Sequence, residues 1–212
     1  MDEQELARWF EANKTLLETA YLASEDPWQQ SGSSIGRKRT GEHWTAQRRC
    51  TAECLDHSGS FLDVGCANGY LLECMLQWTR ERNLEIIPYG LDFSEKLVAL
   101  ARQRLPHYAD HLFVGNAWDW VPPHPFDYVR TCLEYVPAEL QPQLVSRMLD
   151  HFVAPGGALL VSEYRARENT TAPTLTVDQD LARMGFVVAF VKLGFWEGVE
   201  KTRIAVIKKP AA

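Results

Sequence analysis

The chain has 212 residues, of which 46% are hydrophobic and 24% charged, and its formal net charge is −6. This size and apolar content suffice for one α/β domain with a modest extension. The negative charge disfavours nucleic acid as the main substrate. No apolar stretch is long enough to cross a membrane. The acidic N-terminus has no signal-peptide pattern, and five cysteines without a C-x-x-C pair fit a reducing compartment, so we expect a cytoplasmic protein.

The first 57 residues are expected to form a helical cover that precedes the core domain at 58–212. Apolar residues between Leu6 and Tyr21 recur at nearly helical period, which predicts an amphipathic helix over 6–24. Residues 26–41 are rich in Ser, Gly and Gln and predict a loop. A second helix is predicted over 42–57.

Two strand ends carry the main functional signal. A strand over 61–64 contains Asp63 and runs into a turn of small residues at 65–69. A second strand, over 86–91, ends beside Asp92 at the distance that one crossover helix needs. Consecutive parallel strands place both acids at the carboxyl edge of a sheet, where nucleoside ligands bind. Asp92 is then positioned to accept hydrogen bonds from both hydroxyls of a ribose.

The small residues of the turn let the backbone approach a ligand closely, and their pattern narrows its identity. The dinucleotide pattern G-x-G-x-x-G fails at Ala67 and at Tyr70, and no Walker loop is present. The acid before the turn would repel a pyrophosphate but suits a cationic amino-acid tail. These observations favour an adenosine compound without a phosphate cradle.

The rest of the chain alternates predicted helices and strands. Helices are predicted at 70–82, 94–104, 138–151 and 177–184, and strands at 112–114, 126–130, 158–164, 186–193 and 201–208. Only the seven residues 194–200 join the last two strands, too few for a parallel crossover, so these strands must be antiparallel.

The segment Asp63 to Gly69 resembles the first motif of the class I S-adenosylmethionine-dependent methyltransferases, D/E-x-G-x-G-x-G, with Ala67 replacing the middle glycine. Asp92 and Phe93 resemble the ribose-binding acid of that family and its apolar neighbour. Asn116 takes the place of the usual Asp that meets the adenine amino group. The resemblance implies a three-layer αβα Rossmann-like fold, whose seven-stranded, mostly parallel sheet ends in a C-terminal antiparallel hairpin.

By the same resemblance, the cofactor is S-adenosylmethionine and the product is S-adenosylhomocysteine, with the N-terminal helices folded over them as a lid. The implied cofactor-binding residues lie in the glycine turn, at the strand ends and in the lid: Asp63, Gly65, Ala67, Asn68, Gly69, Asp92, Phe93, Asn116, Ala117, Thr131 and Arg48. Arg48 would pair with the methionine carboxylate. Alternatively, Arg48 and Trp44 simply stack on each other at the surface.

Methyl transfer requires a nucleophile held on axis in a water-poor pocket, and a general base is optional. The resemblance implies that the residues after the strand at 126–130 face the acceptor. Glu134 is the candidate catalytic base, because partial burial would raise its pKa; alternatively it caps the next helix or faces solvent. The candidate substrate-binding residues are Trp28, Trp44, Cys132, Tyr135 and Tyr164. We predict no metal site, since Cys50, Cys54 and His57 fit a packed helix face better.

We interpret the chain as a methyltransferase that acts on an oxygen, nitrogen or sulfur atom of a small molecule. An RNA or protein methyltransferase is the first alternative, favoured only by the basic run at 37–39. A catalytically silent cofactor-binding regulatory protein is the second. Methylation of adenine N6 or cytosine N4 is disfavoured, since the N/D-P-P-Y/F motif of enzymes that methylate exocyclic base nitrogens is missing.

Overall fold

A seven-stranded sheet organises the molecule, and its strand order explains where a ligand can bind. The computed structural model describes residues 1–32, 40–164 and 175–211. The strands are β1 (Gly59–Val64), β2 (Ile86–Asp92), β3 (Leu112–Val114), β4 (Phe126–Thr131), β5 (Val153–Tyr164), β6 (Phe190–Trp196) and β7 (Val199–Lys208). They lie in the order β3-β2-β1-β4-β5-β7-β6. The order reverses beside β1, so a crevice opens at the carboxyl ends of β1, β2 and β4.

The predicted architecture is confirmed. Strands β1 to β5 pair in parallel, whereas β7 pairs antiparallel with both β5 and β6. The described helices are α1 (Glu3–Tyr21), α2 (Gly41–Arg48), α3 (Tyr70–Arg80), α4 (Glu95–Arg104), α5 (Gln141–Arg147) and α6 (Val177–Arg183). None of the helices in the described ranges is long and apolar enough to cross a membrane.

Successive strand residues point to opposite sides of the sheet, and both faces are buried against helices. Phe61 and Tyr128 belong to the core cluster that includes Met75 of α3. Leu62 belongs to the opposite cluster, with Leu144 of α5. The sheet is therefore the middle of three layers, and its edge at the strand ends is left for function.

Several element boundaries differ from the prediction. The second helix ends at Arg48 and continues as a 3₁₀ turn over Arg49–Cys54, and the helix predicted at 138–151 consists of a 3₁₀ turn, α5 and a π turn. Strand β6 begins at Phe190 rather than at 186, and its hairpin to β7 is a two-residue turn. Glu197 and Gly198 both have positive φ, 50° and 76°, which suits a tight hairpin whose twist matches the strands.

At the edge of the sheet opposite the crevice, the hydroxyl of Tyr128 forms hydrogen bonds to the segment that precedes β1. This oxygen accepts hydrogen bonds from the backbone nitrogens of Asp56 at 3.2 Å and His57 at 3.1 Å, and donates to Asp56 Oδ1 at 2.6 Å. The Tyr128 side chain is completely buried. It therefore ties the segment before β1 to β4.

We expect Tyr128→Phe to lower the free energy of unfolding by about 1–3 kcal/mol, because two backbone N–H groups lose their acceptor. Urea denaturation monitored by circular dichroism measures this change. Tyr89→Phe is the matched control, since the Tyr89 hydroxyl makes no hydrogen bond within the described ranges while its ring stacks on His111. Equal stabilities of the two variants would contradict the role given to Tyr128.

Candidate cofactor and acceptor site

Two adjoining cavities lie at the carboxyl ends of the strands, beneath α1. The larger has a volume of about 350 Å³ and the smaller about 100 Å³. Both are lined by one shared set of residues from α1, the glycine turn and the segment after β4: Asn13, Leu17, Tyr21, Gly65, Ala67, Glu134 and Tyr135. A ligand that spans both cavities would therefore cross over the glycine turn.

The glycine turn adopts the backbone that its small residues permit. Gly65 and Gly69 have φ of 76° and 73°, and Ala67 has φ of 48°, a region that residues with a Cβ rarely enter. A Cβ at Gly65 would collide with the ring of Tyr135, whereas a Cβ at Gly69 would lie 3.0 Å from that of Ala101 on α4. Gly65 thus faces the cavities, and Gly69 serves the packing of the turn on α4.

Asp92 stabilises the turn and faces the smaller cavity. Its Oδ2 accepts the Ala67 N–H at 2.9 Å and its Oδ1 accepts the Ser94 N–H at 2.9 Å. Each carboxylate oxygen keeps a second acceptor position, so both hydroxyls of a ribose can still bind. Burial raises the pKa of Asp92 to about 6.

The smaller cavity has the lining expected for an adenine ring. Phe93, Asn116 and Ala117 all border it, together with Trp9 of α1. Asn116 Oδ1 accepts the Trp118 N–H at 3.0 Å, which fixes the amide beside the cavity. Arg147, which sequence reasoning missed, donates to the carbonyl oxygens of Ala117 at 3.3 Å and Trp120 at 2.7 Å. It therefore holds this loop in place from α5.

Arg48 is a buried cation in the wall of the larger cavity. It is 4% exposed, and its guanidinium lies 4.6 Å from the ring centre of Trp44 and 4.4 Å from that of Tyr164. It donates to Gly32 O at 2.7 Å and to Gln47 Oε1 at 3.3 Å. Within the part of the chain that the structure describes, no carboxylate lies within 4 Å of it. A buried guanidinium without a counter-charge is suited to bind an anion.

The acid of the first motif is paired with a cation of the chain itself. Asp63 Oδ1 and Arg130 Nη1 lie 3.0 Å apart, and the two residues are opposite each other in the register of β1 and β4. The side chains are 1% and 5% exposed. Burial raises the pKa of the Asp63 carboxyl, and the charge of Arg130 opposes this rise. An Arg near the carboxyl end of a predicted strand was the signal available in the sequence.

The segment after β4 contributes three of the predicted residues to the cavities. Cys132 and Tyr135 line the larger cavity, and Glu134 lines both. Burial raises the pKa of Cys132 to about 12, so this thiol stays protonated at neutral pH. Glu134 makes no hydrogen bond or ion pair to any described residue and does not cap the following turn. Desolvation raises the pKa of its carboxyl, although the residue keeps solvent exposure.

Other predicted residues lie behind the cavity walls. Trp28 packs over Gly41, and Trp44 is completely buried with its indole N–H bonded to Ser31 O at 2.8 Å. Asn68 donates to Pro27 O and to Gln30 Oε1, both at 3.1 Å, and so joins the turn to the N-terminal segment. Thr131 is buried within β4. These four residues support the site without lining either cavity.

No group of three or more potential metal ligands occurs within the described ranges. The basic run at 37–39 lies outside the residues that the structure describes, as do residues 165–174 between β5 and α6.

Comparison with known proteins assigns the fold. A family model described as a methyltransferase domain matches residues 61–157, which run from β1 through the glycine turn into β5. The chain thus contains a methyltransferase domain in this region and has the Rossmann-like fold of the class I methyltransferases. No curated protein sequence matches the chain.

Solved structures with this fold cover nearly the whole chain. The 1,6-didemethyltoxoflavin N1-methyltransferase of Burkholderia thailandensis is 12% identical, with a TM-score of 0.66 over 97% of this chain and 90% of that one. A TehB-like methyltransferase from Corynebacterium glutamicum is 13% identical, with a TM-score of 0.56 over 96% and 99%. The [4+2]-cyclase SpnF is 16% identical, with a TM-score of 0.62 over 93% of each chain. At these identities the likeness shows the fold alone.

Helix α1 lies over the cavities, and the carboxylate of Glu18 bonds it to the start of α4. Glu18 Oε1 accepts from Ser94 Oγ and Oε2 from Lys96 Nζ, each at 2.7 Å. The hydrogen bond from Lys96, followed by that from Ser94, lowers the pKa of Glu18. Helix α1 itself has no buried residue. The two contacts of Glu18 are therefore important for holding this helix in place.

We expect Glu18→Ala to speed amide hydrogen exchange throughout α1 by about two- to tenfold, the effect of losing hydrogen bonds of ordinary strength. Exchange in the strands should not change. Glu11→Ala is the control, because Glu11 is an exposed α1 residue without a partner among the described residues. The assignment fails if both variants exchange at the wild-type rate.

Proposed function

We propose that this chain is an S-adenosylmethionine-dependent methyltransferase that methylates an oxygen, nitrogen or sulfur atom of a small molecule by in-line displacement. The observation that carries the proposal is that two different binding groups, Asp92 and Arg48, lie on opposite sides of the glycine turn. A carboxylate suited to a ribose lies on one side, and a buried guanidinium with no carboxylate of the described residues within 4 Å lies on the other.

The residues present fit such a cofactor at each of its parts. Asp92 can accept the ribose hydroxyls, and Asn116 and Phe93 can border the adenine. Gly65 and Ala67 line both cavities, where the chain of the ligand would pass. Arg48 can pair with the carboxylate of the amino-acid end. When bound, S-adenosylmethionine supplies an electrophilic methyl group.

The protein contributes orientation, exclusion of water and a proton acceptor. Leu17 and Tyr21 of α1 close both cavities from above, and residues 1–57 act in this proposal as the lid over the core. Glu134 is the candidate catalytic base, because it faces both cavities and has a raised pKa and no partner among the described residues. Cys132, Tyr135 and Tyr164 border the acceptor end.

A small acceptor is supported by the enclosure of the larger cavity beneath α1 and by the net charge of −6. Fold neighbours include a methyltransferase determined with bound 1,6-didemethyltoxoflavin and S-adenosylhomocysteine. A macromolecular substrate would require α1 to leave the site, and a silent regulatory protein would bind the cofactor without turnover.

The assignment of the two cavities is tested by calorimetry with two ligands. S-adenosylhomocysteine carries the amino-acid end, and 5′-methylthioadenosine lacks it. We expect Asp92→Ala to weaken both ligands by about 1.5–3 kcal/mol, the value of hydrogen bonds to a charged group. Arg48→Met should weaken only S-adenosylhomocysteine, since only this ligand carries the carboxylate. Tight binding of NAD, or equal effects of Arg48→Met on both ligands, would refute the assignment.

The same titrations carry a pH signature. Because the pKa of Asp92 is raised to about 6, its carboxylate is ionised at neutral pH and becomes protonated as the pH falls through that value. The affinity for both ligands should therefore decline below pH of about 6, since the protonated carboxyl loses acceptor capacity. This decline should be smaller in Asp92→Ala.

Glu134 is tested once an acceptor is found by screening nucleophiles for formation of S-adenosylhomocysteine. If the acceptor must lose a proton, Glu134→Gln should lower kcat by about 10²–10⁴-fold, the usual contribution of a general base. Its affinity for S-adenosylhomocysteine should stay unchanged. Glu139→Gln, an exposed residue of the following turn, serves as the control. A kcat that Glu134→Gln leaves intact would remove Glu134 from the chemistry.

A further inference from the structure

Arg130 is a deeply buried charge beside the larger cavity, and the proposed function leaves it without a role. It belongs to β4, is 4% exposed and contributes to the cavity wall. Its hydrogen-bonded neighbours come from β1, from β5 and from the segment after β4. The guanidinium is thus a junction between parts of the site that are far apart in sequence.

The two terminal nitrogens of Arg130 reach different parts of the site. Nη1 donates to Asp63 Oδ1 at 3.0 Å and lies 3.3 Å from Tyr135 Oη. Nη2 donates to Tyr164 Oη at 3.0 Å and to Cys132 Sγ at 3.2 Å. A guanidinium is a planar fork with fixed donor directions, so one side chain orients all these groups at once.

Charge compensation explains why the tyrosines are held. A buried cation is costly unless its charge is paired and its N–H groups are bonded. Asp63 is the one carboxylate within 4 Å of Arg130 in the described ranges. The remaining N–H groups must therefore be satisfied by neutral acceptors, which include the hydroxyl oxygens of Tyr135, Tyr164 and Ser162.

Tyr164 is fixed by both buried arginines. Its ring centre lies 4.4 Å from the guanidinium of Arg48, and its hydroxyl oxygen accepts from Arg130. Because this oxygen accepts, its own proton stays available for donation to a ligand. Tyr164 is therefore oriented as a hydrogen-bond donor at the acceptor end of the larger cavity.

We propose that Arg130 is a positioning residue, which fixes Asp63 at the donor end and the hydroxyls of Tyr135 and Tyr164 at the acceptor end. It acts through these three groups and need not touch either ligand itself. This inference rests on the proposed function for the names of the two ends. The contacts themselves do not depend on it.

Two variants of Arg130 distinguish its effect on Asp63 from its effect on the two tyrosines. Arg130→Gln removes the charge, leaves Asp63 buried without its partner and releases both tyrosines. Arg130→Lys keeps a positive charge beside Asp63 but lacks the fork that reaches the tyrosines. Arg102→Gln is the control, because Arg102 is an exposed arginine that donates to Leu112 O away from the cavities.

The acceptor end is examined in the free protein by NMR of ring-labelled tyrosine, with signals assigned through Tyr135→Phe and Tyr164→Phe. Arg130→Gln and Arg130→Lys should both shift the signals of these two tyrosines and leave that of Tyr108 unchanged. Arg102→Gln should leave the signals of Tyr135 and Tyr164 unchanged. Unchanged Tyr135 and Tyr164 signals in Arg130→Gln would overturn the proposal, and this result requires no cofactor.

The donor end is examined by calorimetry with S-adenosylhomocysteine. We expect Arg130→Gln to weaken binding about tenfold or more. Arg130→Lys should weaken it less, because the affinity for this ligand depends on the positive charge beside Asp63, which lysine keeps. Losses from Arg130→Gln and Asp63→Asn should not add in the double variant, since the residues act as a pair. Fully additive losses would contradict the proposal.

The outcomes for the two proposals are distinguishable. If wild-type protein binds no S-adenosylhomocysteine, the proposed function fails while the tyrosine signals still report on Arg130. If wild-type protein binds it and Arg130→Gln binds equally well, the role of Arg130 fails and the proposed function stands. Should Arg130→Gln not fold, Arg130→Lys and Tyr164→Phe provide the same comparisons with smaller perturbations.

Discussion

The ion pair between Asp63 and Arg130 is the constraint on which the rest of the site depends. The two residues face each other across adjacent parallel strands, almost wholly removed from water. Each charge alone would be costly there, and removing one partner from such a pair typically costs about 3–5 kcal/mol. The neighbouring hydroxyls of Tyr135 and Tyr164 complete the shell around the guanidinium. The first-motif acid is therefore a structural anchor of the cavity floor as well as a candidate neighbour of the cofactor.

The pair also separates the two cations of the larger cavity by their surroundings. The chain carries −6 overall, yet Arg48 and Arg130 both contribute to the wall of this cavity, together with the carboxylates of Asp63 and Glu134. Asp63 pairs with Arg130, whereas no carboxylate of the described residues lies within 4 Å of Arg48. A ligand carboxylate could pair with Arg48. The overall charge of the chain therefore does not describe the charges that its ligand meets.

The residues at the carboxyl ends of β1 and β2 could be placed together from the sequence alone, because the motifs that contain them are local in the chain. Asp63, Gly65 and Ala67 are neighbours in the chain, and Asp92 ends the next strand. The residues that sequence reasoning missed act over long separations: Arg130 bonds Asp63 across 67 positions, Arg147 bonds Ala117 across 30, and Glu18 bonds Ser94 across 76. Trp28 and Trp44 were expected at the substrate but lie behind the wall, since a helical period reveals a buried face without revealing what covers it. The start of β6 at Phe190 was likewise hidden, because β6 is set by pairing with β7.

The acceptor half shows why the chemistry must be argued from individual groups instead of the fold, which the cyclase SpnF shares. Cys132 is close to Arg130, yet burial outweighs that charge and keeps the thiol protonated, which makes it a poor nucleophile and a poor base. Tyr164 has its oxygen engaged by Arg130 and a raised pKa, so it serves better as a donor. Glu134 differs from both, because its carboxylate is unpaired among the described residues and faces both cavities. Glu134 is therefore the candidate proton acceptor, because it carries the one carboxylate among the described residues that lines both cavities.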